Sequence, residues 1–277
     1  MTAALASSVW LPRSACGPDC LRDAGAASAG PLRRAARLTA LICVLLGMVA
    51  LIPFLPLVPG RRREPLVRGC ARGVLLALGV SRAVRGRLPA RRALVVANHV
   101  SWLDIVVIIA AGGSRLVAKT EVGAWPVIGR IAAGTRAIFL DRSRPTRLPA
   151  AVEEVRAALA GGDVVAVFPE GTTSCGQGAG GFRPAFFQAA IDSGAVVVPL
   201  TLRFRADGEP TARPAFIGDE TLIASLRRVL ALRHLSVTLS VGSAIHPAPT
   251  ATRRGVALIA GTAVGCSGTG CASRLAG

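Results

Sequence analysis

Only three histidines occur in the 277 residues: His99, His234 and His246. One of them lies five positions ahead of an aspartate, in Asn98-His99-Val100-Ser101-Trp102-Leu103-Asp104. This heptad directly follows the apolar run Ala93-Leu94-Val95-Val96-Ala97. A histidine held by a carboxylate at the mouth of a buried strand is a general base with its orienting partner. Such a pair can take the proton from a hydroxyl as it attacks an acyl carbon. The spacing alone also arises by chance in a chain this long. Its place at a strand-to-helix junction favours the chemical reading, because open α/β sheets build their sites at the carboxyl ends of strands. Asn98 and Ser101 suit turn and capping roles there, and stand close enough to touch a bound substrate.

A second block, Phe168-Pro169-Glu170-Gly171-Thr172-Thr173-Ser174, follows another apolar run, residues 164–168. An acid, two exposed backbone amides at Gly171 and Thr172, and hydroxyls can together hold a polyol or a phosphate. Pro-Glu-Gly is equally a surface turn. A third block, Gly134-Thr135-Arg136-Ala137-Ile138-Phe139-Leu140-Asp141-Arg142, ends a short strand on a guanidinium, which can bind a phosphate with two parallel bonds. Lys119 is the only lysine among 33 Lys and Arg residues. In so arginine-biased a chain a compact, strongly hydrated ammonium at that position suggests a phosphate-side role, against the alternative of a chance survivor.

These residues need a frame. Apolar runs at 93–97, 116–118, 138–140, 164–168 and 196–202 read as buried strands, and 235–241 as a last strand. Helices are predicted over 149–160, 184–193 and 222–232, with Pro in the first turn or Gly just past the end as boundary signals. Strands alternating with helices imply a layered α/β domain, assigned to residues 64–248. Residues 1–32 and 249–277 are rich in Ala, Gly, Ser and Thr and are expected to be poorly ordered.

Charge and hydropathy add a membrane. The net charge is +18, 52% of residues are hydrophobic and 4% aromatic, with no Tyr. The mean hydropathy is +0.53. A basic chain calls for a polyanion, nucleic acid or anionic lipid, but base-stacking platforms need aromatics. Residues 38–58 carry no charge, long enough to cross a bilayer core. Arg33, Arg34 and Arg37 precede that run, and residues 61–92 hold ten arginines against one acid, Glu64. Apolar and polybasic segments side by side read as an anchor on anionic lipid, assigned to residues 33–63. Pro53, Pro56 and Pro59 leave spanning, re-entry and interfacial seating all open. The arginine excess after the run puts the main domain on the cytoplasmic side. Residues 73–80 form a second apolar patch, too short to span and suited to an interfacial helix.

The seven cysteines, 16, 20, 43, 70, 175, 266 and 271, are scattered. Cys16 and Cys20 form half of a metal-ligand pattern without a matching pair at zinc spacing, so reduced thiols and no metal are expected. Gly176-Gln177-Gly178-Ala179-Gly180-Gly181 matches a dinucleotide fingerprint by letter but lacks its strand-turn-helix setting. No Gly-x-Ser-x-Gly elbow is present, which argues against a serine hydrolase.

Taken together, the three blocks and Val198-Pro199-Leu200 resemble the glycerolipid acyltransferase family typified by 1-acylglycerol-3-phosphate acyltransferases. The order and spacing of Asn98-His99…Asp104, Gly134…Arg142, Phe168–Ser174 and Val198-Pro199 fit over roughly residues 70 to 245. The resemblance implies a layered α/β acyltransferase that moves an acyl chain from a thioester to a lipid hydroxyl. It implies His99 as general base, Asp104 as its orienter, Arg142 on the acceptor phosphate, and Glu170 and Gly171 on its glycerol portion. It implies acyl-CoA or acyl-carrier protein as co-substrate and no other cofactor, a membrane-lipid partner and no nucleic acid, with the oligomeric state left open. Thr173 stands where many relatives carry Arg, so a lyso-ornithine lipid is an alternative acceptor to lysophosphatidate. The rival from another class is a non-catalytic basic protein that binds membrane or nucleic acid.

Overall fold

A run that is apolar at every position, such as Ala93 to Ala97, has no polar face to turn to water, so it needs cover on both sides. The computed structural model describes residues 14, 16–21, 27–123, 129, 136–141, 144–176 and 181–265. Strands β1 (Val80–Arg85), β2 (Ala93–Ala97), β3 (Arg115–Lys119), β4 (Ile138–Leu140), β5 (Val164–Val167), β6 (Val196–Ala206) and β8 (Leu235–Val241) form one sheet. Their order is β1-β8-β6-β2-β5-β3-β4, and the short β7 (Glu209–Pro210) pairs with β6. The β6–β8 and β6–β7 pairs are antiparallel; the others are parallel.

Alternation along the strands builds two cores. Ala93, Val95, Ala97, Val164 and Ala166 pack on one face, and Leu94, Val96, Val165 and Val167 on the other. The first face is covered by α2 (Gly60–Leu78), α3 (Leu103–Ala111) and α7 (Leu222–Ala231). The second is covered by α5 (Leu148–Ala160), α6 (Ala185–Ser193) and α8 (Arg253–Val264). A single turn, α4 (Thr120–Gly123), follows β3. The expected layered α/β domain is therefore present, with helices on both faces of a mostly parallel sheet.

Three expectations change. The tail after residue 249, expected to be poorly ordered, carries the regular helix α8. Thr252 caps it by accepting from Gly255 N–H at 3.2 Å, and Val256, Ala257, Ala260 and Val264 form its buried stripe. Small side chains on that stripe permit close packing despite the low-complexity composition. Residues 27–30 are likewise tied down: Ala29 is buried and donates its N–H to Ala231 C=O at 2.7 Å. Strand β1 lacks an apolar run because it is an edge strand, with only Val80 buried.

The membrane segment is also redrawn. Helix α1 spans Pro31–Leu51, so it starts earlier than the uncharged run, and Pro31 opens it in the first turn. It passes into a 3-10 helix at Ile52–Leu57, where Pro53 and Pro56 cannot donate to an α-helical ladder. Helix α2 then doubles back along α1, with Gly73 facing Val44. The first half of the polybasic stretch, Arg61 to Arg72, and most of the second apolar patch are thus two parts of this one helix, while the later arginines fall on β1 and the loop after it. Pro31–Phe54 is long and apolar enough to cross a membrane, and only 11% of its most apolar window is buried. A soluble core helix would be mostly covered. Here Leu38, Ile42 and Leu46, spaced four apart, form an exposed apolar stripe.

Arg37, expected to flank a membrane segment, is only 7% exposed. Its guanidinium donates to the carbonyls of Leu230 (3.2 Å), Leu232 (2.6 Å) and Arg233 (3.0 Å). These lie at the C-terminal end of α7, where orphaned carbonyls and the helix dipole favour a cation. Gly79 makes room for it: a Cβ there would meet the guanidinium at 2.5 Å, and its φ of +69° is the left-handed cap of α2. Arg37→Met keeps the length and removes the cap. It is expected to lower stability by about 2 kcal/mol, read as a lower unfolding midpoint; an unchanged midpoint would show that the guanidinium is not the link.

Candidate active site

Parallel strands deliver their carboxyl ends to a single edge. Strands β2, β5, β3 and β4 lie side by side, so the heptad after β2, the Glu170 loop after β5, Lys119 at the end of β3 and Leu140 at the end of β4 line up along it.

At the centre, His99 Nδ1 lies 3.0 Å from Asp104 Oδ2. The same carboxylate oxygen accepts the Val100 N–H at 2.6 Å and the Ser101 N–H at 2.8 Å. Asp104 is fully buried in the first turn of α3, where an acid also meets the helix dipole favourably. The turn between β2 and α3 is therefore wound around one carboxylate, which fixes the imidazole beside it. With Nδ1–H donated to Asp104, Nε2 carries the lone pair and can accept a proton. The His99 side chain is 15% exposed, so the imidazole is not sealed from a reactant. Phe168 stacks on the imidazole with centroids 4.0 Å apart, which limits ring rotation.

Glu170 closes the back of this turn. Its Oε1 accepts the His99 N–H at 2.9 Å, and the Ser174 N–H donates to His99 C=O at 2.8 Å. The Pro-Glu-Gly sequence does form a turn, through Gly171 N–H to Phe168 C=O at 3.1 Å. Gly171 has φ +77°, a conformation that favours glycine. The turn is not a surface feature, since Glu170 is buried. Burial pushes the Glu170 carboxyl up to about 7, against hydrogen bonds from His99 N–H and the Ser174 hydroxyl; the nearby Asp104 charge adds a smaller upward push.

Other expected site residues differ in what they touch. Asn98 donates to Leu202 C=O at 3.0 Å and accepts Leu202 N–H at 2.8 Å. Both ends of its amide clamp β2 to β6, so it braces the strand end in place of the substrate contact expected for it. Ser101 is buried, and its hydroxyl accepts the Leu103 N–H at 3.3 Å. That is the capping role, again not an open contact. Gly171 and Thr172 are half-buried on the loop beside Glu170. Lys119 is exposed and pairs in register with Leu140. It stands two strand steps from β2, about 10 Å. Arg142 lies outside the described residues. Thr173 donates its hydroxyl to Phe216 C=O, and Phe216 N–H donates to Val100 C=O at 2.9 Å, so residue 173 faces the fold. Arg183 is exposed but holds the Glu170 loop from its backbone, donating N–H to Pro169 C=O at 2.9 Å.

Phe168 and Ser174 receive no role from sequence. Phe168 directly follows Val167, which pairs with Val96, and that register sets its ring beside the β2 end. Apolar residues at strand ends carry no chemical signature, so no sequence signal would have found the stack.

The chain is similar to known acyltransferases. A family model described as acyltransferase matches residues 81–203. The chain is 34% identical to a lyso-ornithine lipid O-acyltransferase of Pseudomonas aeruginosa, over 79% of this chain and 85% of that protein. It is 37% identical to a 1-acyl-sn-glycerol-3-phosphate acyltransferase of Neisseria meningitidis, over 63% of this chain and 69% of that one. The crystal structure of the 1-acyl-sn-glycerophosphate acyltransferase of Thermotoga maritima superposes with a TM-score of 0.62 at 19% identity, covering 84% of this chain and 94% of that one, a likeness of fold. With a buried carboxylate orienting a histidine at the sheet edge and relatives that match across most of their length, the chain belongs to the acyltransferase family and is an O-acyltransferase.

Proposed function

We propose that the enzyme transfers an acyl chain from an acyl thioester to the free hydroxyl of 1-acylglycerol-3-phosphate, giving phosphatidate. The observation that carries this reading is His99 fixed by Asp104, on the same sheet edge as Lys119. The acceptor oxygen attacks the thioester carbonyl while Nε2 takes its proton. The new C–O bond forms, the C–S bond breaks, and the leaving thiolate receives the proton back from the imidazolium. Asp104 stabilises the imidazolium between those steps. No acyl-enzyme is needed, so no nucleophilic side chain is required. Glu170, Gly171 and Thr172 position the glycerol portion, and Lys119 with Arg142 holds the phosphate. Acyl-CoA or acyl-carrier protein supplies the chain, with no cofactor in the transfer and no nucleic-acid partner. The α1 stripe of Leu38, Ile42 and Leu46 seats the enzyme on the membrane, with the α/β domain on the cytoplasmic side.

A second reading, a lyso-ornithine lipid as acceptor, is favoured by Thr173. Its hydroxyl is turned to Phe216 C=O, and residue 173 itself offers no guanidinium to an acidic head group. A relative of that activity, from Pseudomonas aeruginosa, also aligns in sequence over more of this chain (79%) than the Neisseria meningitidis glycerophosphate enzyme does (63%). Purified enzyme with one labelled acyl-CoA, offered lysophosphatidate and lyso-ornithine lipid in parallel, separates the two. Fastest transfer to lysophosphatidate, absent in His99→Ala, is the expected result. Faster transfer to the ornithine lipid would replace the acceptor and leave the chemistry intact.

A further inference from the structure

Three cysteines that the acyl transfer does not use converge behind the Glu170 loop. Cys16 precedes the short 3-10 helix Pro18–Leu21, Cys20 lies within it, and Cys175 follows Ser174. Their Sγ atoms all lie within 4.8 Å of one another. Cys175 is 3% exposed and the other two are half-buried. Cys16 and Cys175 are 159 positions apart in sequence, so tertiary structure alone brings them together. The local turn is ordered by hydrogen bonds of its own: Cys20 N–H donates to Gly17 C=O at 3.1 Å and Cys16 N–H to Ser14 Oγ at 3.2 Å.

A buried cysteine ordinarily packs as a small apolar side chain. A trio in mutual reach has a more specific geometry. Tetrahedral metal–sulfur bonds of about 2.3 Å set the sulfurs about 3.8 Å apart, within the spread of this cluster. A disulfide would use two of the three and leave the buried third without a role. The Cys175 N–H donates to Cys16 Sγ at 3.3 Å, and such a bond stabilises a negative sulfur, as outer partners of metal ligands do.

We infer that Cys16, Cys20 and Cys175 form a thiolate site for a soft divalent cation of the zinc class, with solvent at the fourth position. Each thiol gives up its proton to solvent on ligation, so binding tightens as pH rises. The site is structural. Ser174, next to Cys175, holds His99 C=O through its N–H, and Gly176 on the other side packs against Val100. A metal here ties the N-terminal segment to the loop that carries Glu170.

Cobalt titration of the full-length protein, purified in detergent with reductant, tests this. The expected result is equimolar Co²⁺ binding with a strong near-ultraviolet thiolate-to-cobalt band that Zn²⁺ displaces. Cys16→Ser and Cys20→Ser should bind at least about tenfold more weakly, while Cys43→Ser, exposed on α1, behaves like wild type. The band is read on wild-type protein, so a misfolded variant does not remove the test. No band in folded wild type, a band retained in the Cys16→Ser/Cys20→Ser double variant, or a Cys16–Cys20 disulfide in freshly isolated protein would each overturn the site.

Discussion

Replacing His99 by alanine is expected to lower kcat on the order of 10³-fold, with KM and folding nearly unchanged. The fold's demands on residue 99 are met by its backbone: the N–H is held by Glu170 Oε1 and the C=O by Ser174 N–H. Alanine keeps both. What it removes is the imidazole on Asp104 and its stack on Phe168. Asp104→Asn is the companion. One carboxylate oxygen takes the His99, Val100 and Ser101 contacts together, so an amide carbonyl in its place preserves the turn and the histidine tautomer. The negative charge that stabilises the imidazolium is lost, and the other carboxyl oxygen, buried with no hydrogen-bond partner among the described residues, becomes an unpaired NH2. A hydrogen bond to a charged group contributes about 1.5–3 kcal/mol, so the expected loss is on the order of 10², smaller than for His99→Ala. Steady-state kinetics on membranes or detergent-solubilised enzyme reads both. A His99→Ala enzyme within a few-fold of wild type would remove the general-base mechanism.

The parts of this site that were legible in the sequence are local or bound to buried strands. The strands at 93–97, 138–140 and 235–241 match their predicted ends: the first is buried on both faces and apolar throughout, the second is short and wholly apolar, and the third alternates, with Leu235, Val237 and Leu239 buried and the residues between them less so. His99 and Asp104 are separated by a single tight turn, so their pairing follows from spacing. The Asn98 clamp was not legible, since its partner is the backbone of Leu202, 104 positions away, and a backbone has no residue type to read. The same distance effect hid the cysteine cluster. Cys16 and Cys20 stood as half a pattern, and the thiol that joins them in space is a single residue on the Glu170 loop, Cys175. Edge strand β1 failed for the opposite reason, because exposure lets arginines occupy it and erases the apolar signal. Helix α8 failed because alanine and glycine mark disorder by composition and close packing by position, and only the second is decided by tertiary structure.

Glu170 gives the chain a stability that falls with pH. Its carboxyl titrates at about 7 in the fold against an ordinary value of 4.5, with burial as the main cause. The folded chain therefore holds this proton more tightly than the unfolded chain does. Stability is full below about 4.5, declines as pH rises, and the deficit is complete once pH passes through about 7. The gap between the two values corresponds to about 3 kcal/mol. Glu170→Gln retains a carbonyl oxygen for the His99 N–H and has no charge to bury. Its denaturation free energy should track that of wild type in acid and exceed it by up to about 3 kcal/mol above neutrality. The same variant should lose about tenfold or more in kcat/KM near neutral pH, because the ionised carboxylate is the stronger acceptor for a substrate hydroxyl. Denaturant midpoints measured across about pH 4 to 9 for both proteins, with m-values compared, decide it. Parallel curves would mean that Glu170 is solvated well enough to ionise freely. A rising difference with lost activity would mean that the site keeps a buried acid at a standing cost in stability because the acceptor needs its charge.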